Sequence, residues 1–504
     1  MRFAVFQDKI VPDKLLLAPA KTYPISLIES LPPQPPLNPD FSYNEQLEQL
    51  LIGKQLLLED LQYPLSELHV HYENGYLHYR KGIIFTKNKP TCVRCGNTEK
   101  QFFANFPCAR CGESCLYCRK CIMMGRISTC TPLVSWIGPT VISKLKTVPT
   151  NNSFLSWNGT LSDGQEAASK KVITAINENE EFLVWAVCGA GKTEVLFQGI
   201  DAALTSGKRV CLATPRTDVV LELTPRLKTA FPTVQIASLY GGSEDRMINA
   251  PLTIATTHQL LRFYQAFDTV ILDEVDAFPY SVDESLQYAV QQALKQTSSI
   301  IYLTATPNKK WQAECSTGKR KFTTIPARYH RHPLPVPTLL WCGNWEKTLK
   351  KDRLPRSVIQ WIKQCLYSEK QCLIFIPKIE KMEKILPIVR RLHPKTEAVH
   401  AEDLYRKEKV QAMRNQEIQI LLTTTILERG VTFPNIDVAV LGAEDRIFTE
   451  SALVQIAGRV GRSVQYPSGD ITFFHYGKTE AMNEARRQII RMNKEAKKKG
   501  LIDY

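Results

Sequence analysis

This sequence predicts an α/β protein in which two parallel-sheet domains in tandem follow a small cysteine-rich segment, and three observations carry that prediction. Two successive series of short β-rich apolar runs each give way to a Gly, Thr or Pro turn and then to a helical pattern, the alternation of a parallel sheet with crossover helices. Seven of the 14 cysteines fall between Cys92 and Cys121. A length of 504 residues with 44% hydrophobic and 23% charged residues is enough to bury several cores, and at roughly 100 to 200 residues per domain the expectation is about three domains.

Charge and hydropathy narrow the class. Lys and Arg number 64 against 50 Asp and Glu, a net charge of +14, which favours a polyanionic partner such as nucleic acid or an anionic membrane face. No stretch approaches the ~20 apolar residues of a spanning helix, and MRFAVFQDKI lacks a signal-peptide core, so a cytoplasmic protein is expected. Clustered cysteines in that compartment read as one metal site rather than as a disulfide framework.

Taken in order, residues 1–85 read as an N-terminal arm. Its Pro-rich segment LPPQPPLNPD, Leu31 to Asp40, is stiff, extended and unsuited to a core. After it, NEQLEQLLIGKQLLLEDL has leucines at helical spacing. Residues 86–150 form the cysteine-rich domain. Residues 151–335 carry the first series of strands, FLVWAV, VCLAT, LTIATT, TVILDE and IIYLTA. After ARYHRHPLPVP, residues 336–504 carry the second, CLIFIP, TEAVHA, IQILLTTT, VAVLGA and GDITFFHY. No repeat of 20 to 50 residues is visible, which argues against a solenoid or propeller.

The run FLVWAV leads directly into CGAGKT and then into EVLFQGIDAAL, a strand, a Gly-rich turn and a helix. A phosphate-binding loop needs that context. Gly189, Ala190 and Gly191 would turn backbone N–H groups toward phosphate oxygens at a helix N-terminus, Lys192 would reach the β- and γ-phosphates of ATP, and Thr193 would hold Mg²⁺. Ala186 stands where the generic motif has its first Gly. Further on, TVILDEVDAF puts Asp273 and Glu274 at the tip of a hydrophobic strand. There Asp273 would bind the nucleotide's Mg²⁺ and Glu274 would polarise the attacking water.

The remaining signals come in one order: TPRTD from Thr214, TTHQLL from Thr256, TATP from Thr304, TTTILERGVTFP from Thr423 and QIAGRVGR from Gln455. Together with the phosphate loop they resemble the ordered motifs of superfamily 2 helicases and translocases. The resemblance implies two tandem RecA-like domains, the superfamily 2 helicase core, and the CxxC pairs of the cysteine cluster place a small zinc-ribbon domain before it. It implies that Arg459 and Arg462 reach the γ-phosphate as arginine fingers, that Gln165 in LSDGQ recognises adenine, and that TATP couples hydrolysis to strand binding. Thr214, Arg216, Thr256, Thr257, Thr424 and Thr425 lie in motifs that contact the sugar-phosphate backbone in relatives, contacts that read charge rather than sequence.

A narrower resemblance rests on WAVCGAGKTE, ATPRTDVVLEL, TTHQLL, DEVDAFPY, TTTILERGVT and FTESALVQIAGR together with the cysteine cluster. These resemble the ComFA family of late-competence DNA translocases of Gram-positive bacteria, over roughly Lys89 to Asn493. The family implies ATP-driven handling of single-stranded DNA during transformation, at the inner face of the membrane. It also implies partnership with other DNA-uptake proteins, including the small phosphoribosyltransferase-like protein of the same operon.

For the cysteines, spacing alone favours a zinc site of Cys92, Cys95, Cys108 and Cys111, from TCVRCGN and PCARCGE. The resemblance instead implies Cys92 and Cys95 with Cys118 and Cys121 of YCRKC as the Zn²⁺ ligands. A redox role for these CxxC pairs lacks a thioredoxin-like setting. Cys130, Cys188, Cys211, Cys315, Cys342, Cys365 and Cys372 read as buried small hydrophobes. Arg94, Arg110, Arg119, Lys120 and Arg126 could grip phosphates or form a solvated face, as could the cationic tail from Arg486 to Lys499. His330 and His332 read as hinge or DNA-contact residues.

Three functional readings stand side by side: a single-stranded-DNA translocating ATPase, a primosome- or repair-type helicase with zinc knuckles, and a zinc-dependent DNA-binding adaptor with a decayed motor. The retained Lys192, Asp273, Glu274, Arg459 and Arg462 speak against the third.

Overall fold

The computed structural model describes residues 1–139, 153–429 and 432–503. The boundary expected between residues 150 and 151, and Gly430 and Val431 of TTTILERGVTFP, lie outside the described residues. All ten apolar runs form strands, and they fall into two parallel sheets. Among the described residues no helix is long and apolar enough to cross a membrane.

The chain divides into two units: Met1–Asn158 with Val172–Phe182 and Phe197–Tyr302, and Gly159–Lys171 with Leu183–Leu196 and Leu303–Tyr504. In the first, the wholly buried strand Val210–Thr214 pairs in parallel with Leu252–Thr256 on one side and Phe267–Leu272 on the other. Such continuous apolar runs suit a sheet covered on both faces. Five strands of this unit run in the order Ile236–Leu239, Leu252–Thr256, Val210–Thr214, Phe267–Leu272, Leu294–Thr304, while Glu181–Ala186 pairs in parallel with Phe322–Ile325 in the second unit. Helix Thr217–Ala230 buries Val219, Val220, Leu223, Leu227 and Ala230, a stripe at helical spacing.

The N-terminal residues correct the expectation of an arm. Phe3, Ile10, Ile25, Ile28, Leu47, Leu50 and Leu51 share one core with Leu77, Tyr79, Val134 and Trp136. Strand Pro132–Trp136 lies between Leu56–Leu57 and Leu77–Lys81, so residues on both sides of the cysteine cluster build one sheet. The boundary expected at residues 85 and 86 falls inside the strand Ile83–Thr86. The Pro-rich segment is extended, yet it is held: Gln34 Nε2 donates to the Leu77 carbonyl (2.7 Å), and the Asn38 N–H to that of Asn74 (3.0 Å). The expected leucine-rich helix stops at Leu51, after capping by Asn44, because Gly53 turns at φ +63° and the following leucines are extended.

This N-terminal domain is fastened to its neighbour in the first unit. The Gln55 N–H donates to the Arg262 carbonyl (2.7 Å), the Tyr264 N–H to that of Gly53 (3.0 Å), and the Arg80 guanidinium lies 3.7 Å from the Tyr264 ring centroid. Lys54 is buried at this seam, its Nζ donating to the Arg246 carbonyl (3.1 Å). Burial, then the nearby cations Arg209 and Arg262, push its ammonium down to about 7 from 10.5. A base whose folded pKa is depressed destabilises the fold at low pH, and the penalty fades as pH rises from about 7 toward 10.5. Lys54→Met is therefore expected to raise the unfolding free energy at pH 7, read from urea melts, by up to several kcal/mol at about 1.4 kcal/mol per pKa unit. The gain should shrink steadily by pH 9.5; a pH-independent difference would contradict the assignment.

In the second unit, six strands run Thr338–Trp341, Ile471–His475, Ile436–Leu441, Gln371–Phe375, Ile420–Thr423, Thr396–Val399, with every pairing parallel. The cationic C-terminal stretch is the helix Glu480–Lys498, which buries Met482, Ala485, Ile489, Met492 and Ala496 and leaves Arg486, Arg487, Lys494, Lys497 and Lys498 on its exposed side.

Candidate active site and metal centre

The strand Glu181–Ala186 ends in the turn Val187–Gly191, and the helix Lys192–Thr205 begins at Lys192 itself. Gly189 and Gly191 sit at φ +81° and +69°, a region that L side chains rarely adopt. A Cβ on Gly191 would also meet Gln165 Nε2 at 2.3 Å. Such a turn at a helix N-terminus fits a polyphosphate, with Lys192 and Thr193 half-buried at its rim. Gln165 braces the loop. Its Nε2 donates to the Ala190 carbonyl (2.8 Å), and its Oε1 accepts from the Ser162 N–H (2.8 Å).

The same unit brings the QIAGRVGR turn to this loop. Cys188 Sγ donates to Gln455 Oε1 (3.0 Å), so this cysteine is buried as expected but carries a polar contact. Arg328, only 1% exposed, reaches both turns: Nε donates to the Cys188 carbonyl (3.3 Å), Nη2 to that of Gly458 (3.3 Å), and Nη1 to that of Gly461. Burial, followed by repulsion from Arg462, holds its guanidinium down at about 10. His330 Nε2 lies 3.1 Å from the Gly461 carbonyl. Sequence reasoning read the neighbouring His330 and His332 as hinge or DNA-contact residues, gave Arg328 no role and missed this bridging position. The only available signal was a basic residue between the two domains.

Arg459 is fully buried, with Nε donating to the Glu428 carbonyl (3.0 Å). Arg462 is half-buried, with Nε donating to the Gly458 carbonyl (2.8 Å). TATP joins the same unit: Thr306 Oγ1 lies 2.8 Å from Ser451 Oγ, which also accepts from Arg429 Nη2 (3.2 Å). The Ala305 carbonyl accepts from both Trp185 Nε1 (3.0 Å) and Gln488 Nε2 (2.7 Å). Thr424 is buried, and Thr425 opens the short turn Thr425–Leu427.

In the first unit, Asp273 and Glu274 follow the strand Phe267–Leu272. The Asp273 N–H donates to the Ala213 carbonyl (2.8 Å), its Oδ1 accepts from the Glu274 N–H (2.9 Å), and Glu274 stands at φ +55°. That conformation is uncommon away from glycine and concentrates at functional turns. Thr214 and Thr256 are register partners at the carboxyl ends of adjacent strands, the edge at which open parallel sheets bind ligands. The hydroxyls of Thr214 and Thr257 are buried with no hydrogen-bond partner among the described residues. Arg216 makes a two-pronged pair with Asp218 (3.0 and 2.6 Å) at the start of its helix.

Of the two zinc sets open from sequence, the structure assembles Cys92, Cys95, Cys118 and Cys121. Their four buried Sγ atoms lie within 4.8 Å of one another, with Cys92 to Cys121 at 3.8 Å and Cys95 to Cys118 at 3.7 Å. A tetrahedron of Zn–S bonds of about 2.3 Å has edges of about 3.8 Å, so the donors fit that ion. Arg94 is 3% exposed and donates to the Met124, Cys121 and Gly125 carbonyls (2.7 Å each) and to Cys121 Sγ (3.1 Å). It therefore braces the thiol cluster, which removes it from the phosphate-gripping set. Cys108 and Cys111 belong elsewhere, grouped with Cys115 and Cys130.

Comparison with known proteins follows the same division. The family described as Competence protein ComFA N-terminal domain matches residues 39–135. Type III restriction enzyme, res subunit, matches residues 158–309, and the Helicase conserved C-terminal domain matches residues 357–464. Competence protein ComFA of Bacillus subtilis is 48% identical over 463 residues, 92% of this chain and 98% of that protein. The chain belongs to the ComFA family. Competence protein ComFA of Streptococcus pneumoniae is 38% identical over 437 residues, 82% of this chain and 98% of that protein. Among solved structures, the DEAD-box helicase Mss116 bound to ssRNA and UDP-BeF aligns with a TM-score of 0.49 at 15% identity, covering 68% of this chain and 83% of that one. The two helicase matches fall on the two parallel sheets, so this member of the family carries a superfamily 2 core of two RecA-like domains, behind an N-terminal domain with clustered cysteines.

Proposed function

We propose that this chain hydrolyses ATP to move along single-stranded DNA during the uptake of transforming DNA. The observation that supports this best is the bridge of Arg328, Cys188 and Gln455, which joins the phosphate loop to the arginine-bearing QIAGRVGR turn within one unit. A motor needs that connection, because stepping requires the nucleotide loop and the second domain's cations to move as coupled parts.

In this reading Gly189, Ala190 and Gly191 cradle the phosphates, Lys192 neutralises the β- and γ-oxygens, and Gln165 reads the adenine while bracing the loop. Thr193 would be a Mg²⁺ ligand and Asp273 another, and the ion would offset charge on the transferring phosphoryl group. Glu274 orients the attacking water, and Arg459 and Arg462 stabilise the charge that develops. Thr214, Arg216, Thr256, Thr257, Thr424 and Thr425 line the strand path. The chain Thr306–Ser451–Arg429 carries the change from TATP to the motif around Thr424. Zn²⁺ held by Cys92, Cys95, Cys118 and Cys121 stabilises the N-terminal ribbon. The competence names of the relatives support work alongside other uptake proteins; the small phosphoribosyltransferase-like protein as partner and a peripheral place at the inner membrane face are part of the same proposal.

The test is ATP turnover with single-stranded DNA, duplex DNA and RNA across a salt series. Single-stranded DNA should stimulate most, and the stimulation should weaken with salt because the counterions released at each phosphate contact gain less entropy in a saltier solution. Absence of stimulation by any polymer would sink the motor reading. Strand separation with a fixed polarity would replace translocation by a repair-type helicase.

A further inference from the structure

Two turns of the N-terminal domain are near copies, TCVRCGN and PCARCGE. In the first, the Gly96 N–H donates to the Cys92 carbonyl at 2.8 Å with Gly96 at φ +70°; in the second, the Gly112 N–H donates to the Cys108 carbonyl at 2.9 Å with Gly112 at φ +71°. This is the tight turn that aims two thiols at one point. The first turn serves the cluster of Cys92, Cys95, Cys118 and Cys121. The second aims Cys108 and Cys111 at Cys115 and Cys130, and all four of these Sγ atoms are buried within 4.8 Å of one another.

We propose that Cys108, Cys111, Cys115 and Cys130 form a second tetrathiolate site for Zn²⁺. As the four Zn–S bonds form, the thiols release their protons to solvent. Cys108 and Cys130 lie 3.6 Å apart and Cys111 and Cys115 3.2 Å apart, close to the tetrahedral edge of about 3.8 Å and far from a disulfide bond of about 2.05 Å. A hydrophobic core is a poor account of the group, because the four thiols pack together with only the partly buried Phe106 against them. Two positive charges per zinc against four thiolates leave a net charge of about −2, and cations surround the group. Arg2 Nη1 donates to the Cys111 carbonyl (3.4 Å), the N-terminal ammonium to that of Arg110 (2.7 Å), and Arg126 stacks over Phe106 at 4.6 Å.

The second site has its own structural task. Strands Phe103–Cys108 and Glu113–Cys118 form a hairpin. Cys118 ties one end of it to the Cys92 turn, while Cys108, Cys111 and Cys115 tie the other end to Cys130, two residues before the strand Pro132–Trp136. The hairpin is thus clamped at both ends, and the second clamp joins it to the sheet that completes the N-terminal core. The inference stands on this geometry and not on the motor reading.

The full chain, purified without added metal, should carry two zinc ions per chain by elemental analysis. Cys108→Ser with Cys130→Ser should leave one, and Cys92→Ser with Cys118→Ser should separately leave one. Should these variants fail to fold, alkylation of the native chain followed by peptide mapping gives the same answer. Cys108, Cys111, Cys115 and Cys130 should resist modification until a chelator is added. One zinc per native chain with these four thiols modified, or their recovery as disulfides, would overturn the proposal. Iron in the site in place of zinc would overturn the choice of ion. Zinc loss confined to the Cys108 and Cys130 variant would instead refute the Cys92 cluster and leave this one standing.

Discussion

Replacing Lys192 by Ala is expected to lower ATP turnover by on the order of 10³-fold, the scale lost with a cation that meets transferring phosphoryl oxygens. The loss should appear with and without DNA, because in the proposed reading the lysine acts on the nucleotide rather than on the strand. Folding should survive. Lys192 is the first residue of its helix and half-buried, and Ala is the best helix former, so thermal unfolding should stay within a few degrees of the native chain. The contacts that shape the loop, Gln165 to Ala190 and Cys188 to Gln455, do not involve this side chain. A steady-state assay paired with a thermal melt checks both halves. Native turnover in a folded Lys192→Ala chain would remove the phosphate-loop assignment. Glu274→Gln is the informative companion: it keeps the binding loop intact, so nucleotide should still bind while turnover falls.

Much of the fold was legible because a doubly covered parallel strand has a plain signature. VCLAT, LTIATT and CLIFIP are short runs of apolar residues broken only by threonine, and the turn residues that follow them end the strand where the sequence says. Three strands of the parallel sheets escaped notice: Ile236–Leu239, Phe322–Ile325 and Thr338–Trp341. Each lies at a sheet edge. An edge strand pairs on one side and carries weaker apolar patterning, as the half-exposed Thr338–Trp341 illustrates.

The N-terminal residues were misread for a different reason. Their core closes across the cysteine cluster, with Trp136 and Val134 meeting Leu50 and Leu77, and no local window contains both halves. The Pro-rich segment was read correctly as extended and wrongly as free, because backbone hydrogen bonds to Asn74 and Leu77 leave no trace in composition. The same limit applies to the sites. Glycines, lysine and acids of the phosphate loop declare themselves by spacing, whereas Arg328 acts through three carbonyls, and carbonyls have no sequence identity. Cys130 lies beyond the cluster in sequence and is carried to it by the segment that pairs Ser128 with Tyr117.

The second large effect is expected from the metal centre. Cys118→Ser should remove one zinc per chain, since a serine hydroxyl at neutral pH does not replace a thiolate ligand. Structural zinc supplies about 10–16 kcal/mol of apparent folding energy in isolated zinc-finger peptides. Losing even a fraction of that should open the end of the ribbon where Cys118 meets the Cys92 turn. The consequence reaches past the ribbon. Arg94 is buried and braced against Cys121 and its neighbouring carbonyls, so loosening Cys121 leaves a guanidinium to be rehydrated, which favours opening further. The adjacent Val93 carbonyl accepts from Tyr288 Oη (3.3 Å), and Gly96 lies against the Tyr288 ring. Tyr288 belongs to helix Glu284–Ala293, which packs in the first unit. Release of the ribbon should therefore undock it from that helix while the parallel sheets keep their own cores. Proteolysis between residues 92 and 121 should accelerate at least tenfold, the change that about 1.4 kcal/mol of local opening produces, while ATP turnover without DNA persists. Unchanged zinc content together with unchanged protection would place the structural metal on other ligands.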